Sequence, residues 1–384
     1  MSDVSDTRMR GLLASQYFIY FGVLGIYLPF FNLYCYHIGF SGTQIGAISA
    51  VRTMATALFP MIWGHLADRF RARKPIYIAC SFASAMVWSL FLLTADFWLM
   101  MMIMVVYGIF YGPIISFLEA FTMDYLGSRR RDYGRLRVWG SISFICVVVV
   151  VGRIVDATSL NIILVLILAG SLLRAALSVR IPARRSPARE PTRQGLRLLA
   201  AAPVAGFLFA ALLMLASHGA YYAFFSIHLE SLGYGGTLIG VCWALAVAAE
   251  VLVMILSPRL FHRVSLQSVL VFSCAAAALR WFTLAATASL PVILASQVLH
   301  AFSYGTFHMA SILRIDELMP AASKTLGQAA NNAVTYGFGM MVGFFGSGLL
   351  YEAAGSSVLF AVSGIAAAAG GGVLVWFRPR PEAR

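Results

Sequence analysis

Glu119, Glu250, Arg280, His300 and His308 lie deep inside long apolar runs of the chain, and Arg52, Arg174 and His218 lie in comparable surroundings. A charged group in the middle of an apolar helix costs about 2.5–3.5 kcal/mol on insertion scales. Each therefore needs a partner or a task. A guanidinium such as Arg137 or Arg280 recognises a carboxylate by planar two-point contact. Burial disfavours a charged carboxylate and a nearby arginine favours it, so Glu250 can take up and release a proton as its access to Arg280 changes. His300 and His308 are alternative proton carriers, because imidazole changes charge near neutrality. Arg52 and Arg174 read at least as well as structural groups, in an ion pair or snorkelling to an interface, as they do as functional ones.

Spacing groups these residues with aromatic and amide neighbours. His218, Tyr221, Tyr222 and Phe225 recur at i, i+3, i+4 and i+7, one face of a helix. His300, Tyr304, Phe307 and Ser311 form a second stripe with His308 at its edge, and Gln328, Asn332 and Thr335 a third, with Asn331 alongside. Lipid offers such stripes no hydrogen-bond partners, so a central polar cavity is expected. Tyr221, Tyr222, Phe225 and Phe144 would supply ring faces for an apolar substrate body.

The elements that must carry these residues are membrane spans. Of the 384 residues, 60% are hydrophobic and 11% charged, against about 25% charged in soluble domains. Twelve apolar runs recur, centred near residues 22, 55, 85, 109, 146, 169, 216, 248, 276, 301, 338 and 366. Each is long enough to cross a hydrocarbon core of about 30 Å, so an all-α membrane protein of twelve helices is expected. The net charge of +13 is confined to alternate loops, among them Arg69–Lys74, Arg129–Arg135 and Arg180–Arg197, whereas the opposite loops carry only Arg153. Basic loops mark the cytoplasmic side, so both termini are expected there and nucleic acid is not implied. The five cysteines lack metal or redox spacing and read as small buried hydrophobes. No metal-ligand cluster, phosphate loop or Ser/His/Asp order appears, so no metal, cofactor or enzyme activity is expected. The first span is too long for a signal-peptide core and is expected to be retained.

The chain is duplicated. Shifting it by 194 residues lays 25–69 over 219–263 without gaps, with 14 of 45 positions identical, among them Gly39/Gly233, Thr43/Thr237 and Gly46/Gly240. The most polar stretch, 181–199, lies between the copies, and a cytoplasmic basic linker over 181–202 is expected. Six-helix bundles over 1–180 and 203–384 are therefore expected, facing each other about a central path.

The segment Gly64-His-Leu-Ala-Asp68-Arg69-Phe-Arg-Ala-Arg73-Lys74 resembles the loop motif between the second and third helices of the major facilitator superfamily. Arg71 stands where that motif has glycine. The resemblance implies that Gly64, Asp68, Arg69, Arg73 and Lys74 form a switchable charge network. LEAFTMDYLGSRRRDYGRLRVWG, Leu118–Gly140, is similar to the lactose permease region whose glutamate and arginine, eighteen apart, bind sugar; Glu119 and Arg137 keep that spacing. Arg280 and His300 match the same permease's proton site, but Ser303 replaces its proton-carrying glutamate. His218-Gly-Ala-Tyr221-Tyr222, Ala249-Glu250-Val251, Leu279-Arg280-Trp281, Leu299-His300, His308 and the run Asp132–Gly140 resemble the phenylpropionate permease family of proton symporters.

That resemblance implies a monomeric proton symporter of a bacterial inner membrane, importing a small aromatic monocarboxylate. Substrate contact would fall to Glu119, Arg137, Phe144, His218, Tyr221, Tyr222, Phe225 and Asn332, and proton coupling to Glu250, Arg280, His300 and His308. Symport of a neutral sugar or nucleoside is the alternative. Efflux is disfavoured because SISFICVVVVVGRIV lacks the Gly-Pro element of efflux proteins in that helix, and a receptor would be expected to carry a sizeable soluble domain.

Overall fold

The computed structural model describes residues 2–129, 132–182, 196–261 and 264–377. Part of the expected 181–202 linker thus lies outside the described residues. Every regular element described is a helix, as a hydrocarbon solvent demands of a segment that must satisfy its own backbone. The elements are α1 Ser2–His37, α2 Gly42–Arg69, α3 Arg73–Ser89, α4 Phe97–Leu126, α5 Tyr133–Ala157, α6 Ile162–Ser178, α7 Ala202–Ser231, α8 Gly236–Phe261 and α9 Leu266–Ala286. Then come α10 over 290–318, α11 over 324–354 and α12 over 356–376.

Among the described residues, nine helical stretches are long and apolar enough to cross a membrane. The longest, Lys324–Trp376, holds two spans, because Gly355 at φ 75° breaks it into α11 and α12. Adding α6, 17 residues long, and α10, which a π turn interrupts, completes the twelve helices expected from hydropathy. Large apolar side chains point outward along them: Met61 is 74% exposed and Trp98 72%. In water such a surface would drive aggregation, but facing lipid it is the appropriate solvent contact.

The chain divides into two compact units. One comprises Met1–Phe40, Val51–Arg189 and Leu229–Ala244, the other Ser41–Ala50, Glu190–His228 and Leu245–Arg384. In the first, α1 packs on α5 and α6, and α3 on α4 and α6. In the second, α9 packs on α10 and on α12, where a Cβ at Gly364 would meet the ring of Phe282 at 2.8 Å. The duplication is visible in the backbone: the matched Gly39 and Gly233 both adopt positive φ, 93° and 87°, in the tight turns before α2 and α8. Only glycine takes that conformation without steric cost.

α10 and α11 each contain a π turn, Ala301–Gly305 and Ala333–Gly339. The wider i→i+5 turn adds a residue and rotates every side chain that follows. Both turns fall among the histidine, tyrosine and amide residues of the predicted stripes.

Candidate functional site

In the second unit a polar chain runs through an aromatic shell. Arg280 on α9 is fully buried. Its Nη1 donates to Nδ1 of His300 at 2.9 Å and its Nη2 to Oε1 of Gln297 at 2.8 Å. The guanidinium lies 4.0 Å from the ring centre of Tyr221, a cation–π distance. Arginine has no acceptor, so Nδ1 of His300 must accept and the imidazole proton resides on Nε2. That nitrogen is 3.6 Å from Oε2 of Glu250 on α8. His300 therefore joins Arg280 to Glu250, with its proton on the carboxylate side. Glu250 lies against the first π turn, where a Cβ at Gly305 would stand 3.0 Å from its Cγ. Ser303 is buried in the same turn, its hydroxyl directed to the His300 carbonyl at 3.4 Å.

The rings around this chain are those the periodicity picked out. Tyr221 and Phe225 are fully buried with centroids 4.7 Å apart, and the Tyr221 hydroxyl donates to Gln297 at 3.3 Å. The ring of Tyr222 meets those of His300 and Tyr304 edge-on at 6.4 and 6.0 Å. His218 is fully buried 5.0 Å from Trp281. Its Nδ1 is 2.8 Å from the Met214 carbonyl, which can only accept, so Nδ1 carries the proton. Its Nε2 is then a buried acceptor with no hydrogen-bond partner.

Two of the predicted stripes differ in the structure, the first because of its π turn. On α10 the stacked series is His300, Tyr304 and His308, with centroid steps of 5.2 and 6.4 Å and rings within 8° of parallel. The extra residue carries His308 into the stripe in place of Phe307. His308 Nδ1 and the Tyr336 hydroxyl form a hydrogen bond to the second π turn. On α11, Asn332 is exposed whereas Asn331 is fully buried with neither amide atom partnered. The inward amide is thus Asn331, one position from the residue expected.

In the first unit, Glu119 on α4 accepts a hydrogen bond from the Tyr133 hydroxyl at 3.3 Å. Arg137 on α5 lies flat over Phe21, 3.7 Å from its centroid, with Tyr17 at 5.9 Å. No ion pair within 4 Å joins Glu119 to Arg137 among the described residues. Phe144 is buried at the crossing of α5 with α1, where a Cβ at Gly25 would stand 3.2 Å from its carbonyl oxygen. It is a packing residue at that crossing. Arg52 and Arg174, for which an ion pair or snorkelling was one reading, have no carboxylate within 4 Å among the described residues; both guanidiniums lie among tyrosines.

The loop motif forms a partial network. Both Nε and Nη2 of Arg73 donate to one oxygen of Asp68, at 2.9 and 2.7 Å, and Nη1 is 3.7 Å from Asp124 on α4. Arg69 lies 5.8 Å from the Phe70 ring, and Lys74 begins α3 beside Arg73. Gly64 is helical within α2, with open space where a Cβ would stand. Arg71, at the position where the motif has glycine, is the non-glycine residue with positive φ, 51°.

Sequence reasoning passed over Gln297, although it stands one turn before His300 on the same helix face. It also passed over the paired carboxylates Asp156 and Glu352, which sit at helix ends where an acidic residue ordinarily needs no explanation.

Twelve apolar helices, with a buried chain of ionisable groups in the second unit, define a multi-pass membrane protein, and the comparisons give its class. The chain belongs to the MFS_1 like family, whose model matches residues 12–362. It is 28% identical over 367 residues, 92% of this chain and 94% of the relative, to the Escherichia coli (strain K12) protein described as "Probable 3-phenylpropionic acid transporter". It is 26% identical over 328 residues, 84% and 83% of the two chains, to the maltose permease of Geobacillus stearothermophilus. The crystal structure of the nucleoside transporter NupG superposes with a TM-score of 0.88 at 18% identity, over 97% of this chain and all of that one. The protein is a major facilitator transporter, and the families and folds it matches are those of transporters, not enzymes.

Proposed function

We propose that this transporter imports a small aromatic monocarboxylate together with a proton. The observation that carries the coupling is the order Arg280, His300, Glu250. Arg280 holds the His300 proton on Nε2, 3.6 Å from Glu250, so a proton shared by imidazole and carboxylate has a defined path. Ser303 leaves the proton-carrying role of that helix to Glu250 on α8. The buried rings of Tyr221, Tyr222 and Phe225 favour an aromatic body, and the unpartnered Nε2 of His218 and amide of Asn331 are free to meet polar atoms. Glu119 and Arg137 are assigned substrate contact in the first unit. The relative described as a probable 3-phenylpropionic acid transporter supports the substrate class.

Transport is by alternating access, with 1–180 and 203–384 as moving halves and the Asp68–Arg73 network as part of the switch. The basic loops place both termini in the cytoplasm of a bacterial cell, in its inner membrane, and a monomer suffices. The test is uptake into proteoliposomes under an imposed inward proton gradient, with labelled 3-phenylpropionate, maltose and uridine compared directly. The reading requires gradient-driven accumulation of the acid alone. Accumulation of maltose or uridine instead replaces the substrate, and accumulation indifferent to the proton gradient removes the coupling.

A further inference from the structure

Arg52 is a cation without an anion. It lies half-buried on α2, and its Cζ sits 4.2 Å from the centre of the Tyr27 ring and 5.5 Å from that of Tyr111. It takes part in no ion pair or hydrogen bond among the described residues, and its Nε is buried without a partner. Tyr111 is itself stacked on Tyr20 and Tyr107, at 5.5 and 4.9 Å. Behind this stack stands a second guanidinium, Arg174, whose Cζ is 5.6 Å from Tyr20 and 5.5 Å from Tyr111. Arg174 is fully buried, reaches only Ser84 at 3.4 Å through Nη2, and leaves its Nε and Nη1 without partners. Arginine stays protonated in proteins. The cage of α1, α2, α4 and α6 therefore holds two positive charges, with no carboxylate within 4 Å of either among the described residues.

Aromatic faces offset part of that charge, but they accept no in-plane N–H bonds, and buried donors in folded proteins are normally paired. The other arginines within the spans differ from it. Arg280 gives its two terminal nitrogens to His300 and Gln297, and Arg137 lies flat on Phe21 with the charge of Glu119 acting on it. Arg174 is closed off from any ligand. Of Arg52, Arg137, Arg174 and Arg280, it is Arg52 that combines partial exposure, uncommitted donors and no counter-charge.

We infer that Arg52 is the receptor for the substrate's carboxylate, held edge-on by the tyrosine cage, with Arg174 adding a second positive charge behind it. This rests on the reading of the substrate as an aromatic monocarboxylate and assigns the residue that recognises its acid group.

The experiment compares binding of 3-phenylpropionate with that of its neutral isostere, 3-phenylpropionamide, to purified wild-type protein, Arg52→Gln and Arg52→Lys. Wild type should prefer the acid. Arg52→Gln should lose on the order of tenfold or more in acid affinity, as removal of a charge-assisted contact does, while amide affinity changes by less than about threefold. If Arg52→Gln yields no folded protein, Arg52→Lys carries the test, because an ammonium keeps the charge and loses the two-point geometry; the acid preference should shrink there too. Undiminished acid preference in a folded variant overturns the role of Arg52 and leaves the substrate reading intact. A wild type that does not prefer the acid overturns both. An equal loss for acid and amide assigns Arg52 to packing and also overturns the inference.

Discussion

Asp156, in the last turn of α5, accepts the backbone N–H of Thr237 at 2.8 Å and the Thr237 hydroxyl as well, closing the first turn of α8. Its other oxygen accepts from the N–H of Gly236 at 2.6 Å. Glu352 does the same for α2, accepting from the N–H of Thr43 at 2.8 Å and the Ser41 hydroxyl at 2.7 Å. Thr43 and Thr237 are the threonines matched by the internal repeat. Two equivalent helices are thus capped from outside by carboxylates, and the backbones come close enough that a Cβ at Gly42 or Gly236 would stand 2.8 Å from a carbonyl oxygen.

The two caps differ in how many backbone N–H groups they hold, and that predicts different tolerance to amides. Asp156 turns each oxygen to a backbone N–H, whereas Glu352 takes one backbone N–H, that of Thr43, on Oε2 and otherwise bonds the Ser41 and Thr43 hydroxyls. Asp156→Asn must turn an NH2 toward a backbone N–H, and should cost about 0.5–2 kcal/mol, as losing an N-cap does. Glu352→Gln can present its carbonyl oxygen to the one backbone N–H and leave its NH2 to the hydroxyls, which also accept, and should cost less. Thermal unfolding in detergent should rank wild type above Glu352→Gln and Glu352→Gln above Asp156→Asn. The reverse order would show that the caps do not carry these helix ends.

Arg71→Gly should stabilise the protein by about 1 kcal/mol, because a left-handed backbone strains any residue with a Cβ. Arg71 holds φ 51° where α2 ends, while its N–H bonds back to the Asp68 carbonyl at 3.3 Å. Arg71→Lys keeps both charge and strain and is the control. A rise in the unfolding midpoint for glycine alone confirms backbone strain; a rise for neither places Arg71's conformation at no cost.

The helices and most of the aromatic shell were legible in the sequence because their signals are local. A span needs about twenty apolar residues, and a stripe such as His218, Tyr221, Tyr222 and Phe225 needs only an unbroken 3.6 period. The departures begin where that period breaks. The π turn at Ala301–Gly305 exchanges Phe307 for His308, and no residue type marks a π turn in advance. Asn331 faces inward in place of Asn332 on the regular α-helical stretch before the second π turn, where a small rotation of the packed face moves burial by one position. Glu119 and Arg137 keep a family spacing yet turn to Tyr133 and Phe21, since spacing along two helices does not set which rotamers meet. Arg52 could be seen as buried, but its lack of a counter-ion depends on every helix around it.

Glu250→Gln should separate exchange from uphill transport. The amide has the shape of a protonated carboxyl but releases no proton, so substrate enters and equilibrates without a coupled cycle. Counterflow in vesicles should persist near the wild-type rate, and accumulation driven by a pH gradient should be lost. Accumulation in the variant would remove Glu250 as the carrier and pass that role to His300 or His308.

His300 offers the sharpest test, because its two nitrogens face different partners. Nδ1 accepts from Arg280 at 2.9 Å and Nε2 is 3.6 Å from Glu250. In His300→Asn the amide oxygen can replace Nδ1 as acceptor, but nothing replaces Nε2, so Arg280 stays satisfied while the link to Glu250 is cut. His300→Leu removes both and strands a buried charged donor, at a cost of about 1–3 kcal/mol or more. The asparagine variant should therefore fold and equilibrate substrate, and the leucine variant should be markedly less stable. A pH electrode outside lightly buffered, de-energised cells should register alkalinisation when substrate is added to wild type. It should register none for His300→Asn, even though labelled substrate still enters. Alkalinisation that survives in His300→Asn puts the proton on Glu250 without the imidazole. Entry driven by a sodium gradient with no pH signal in wild type reduces Arg280, His300 and Glu250 to a structural ion network.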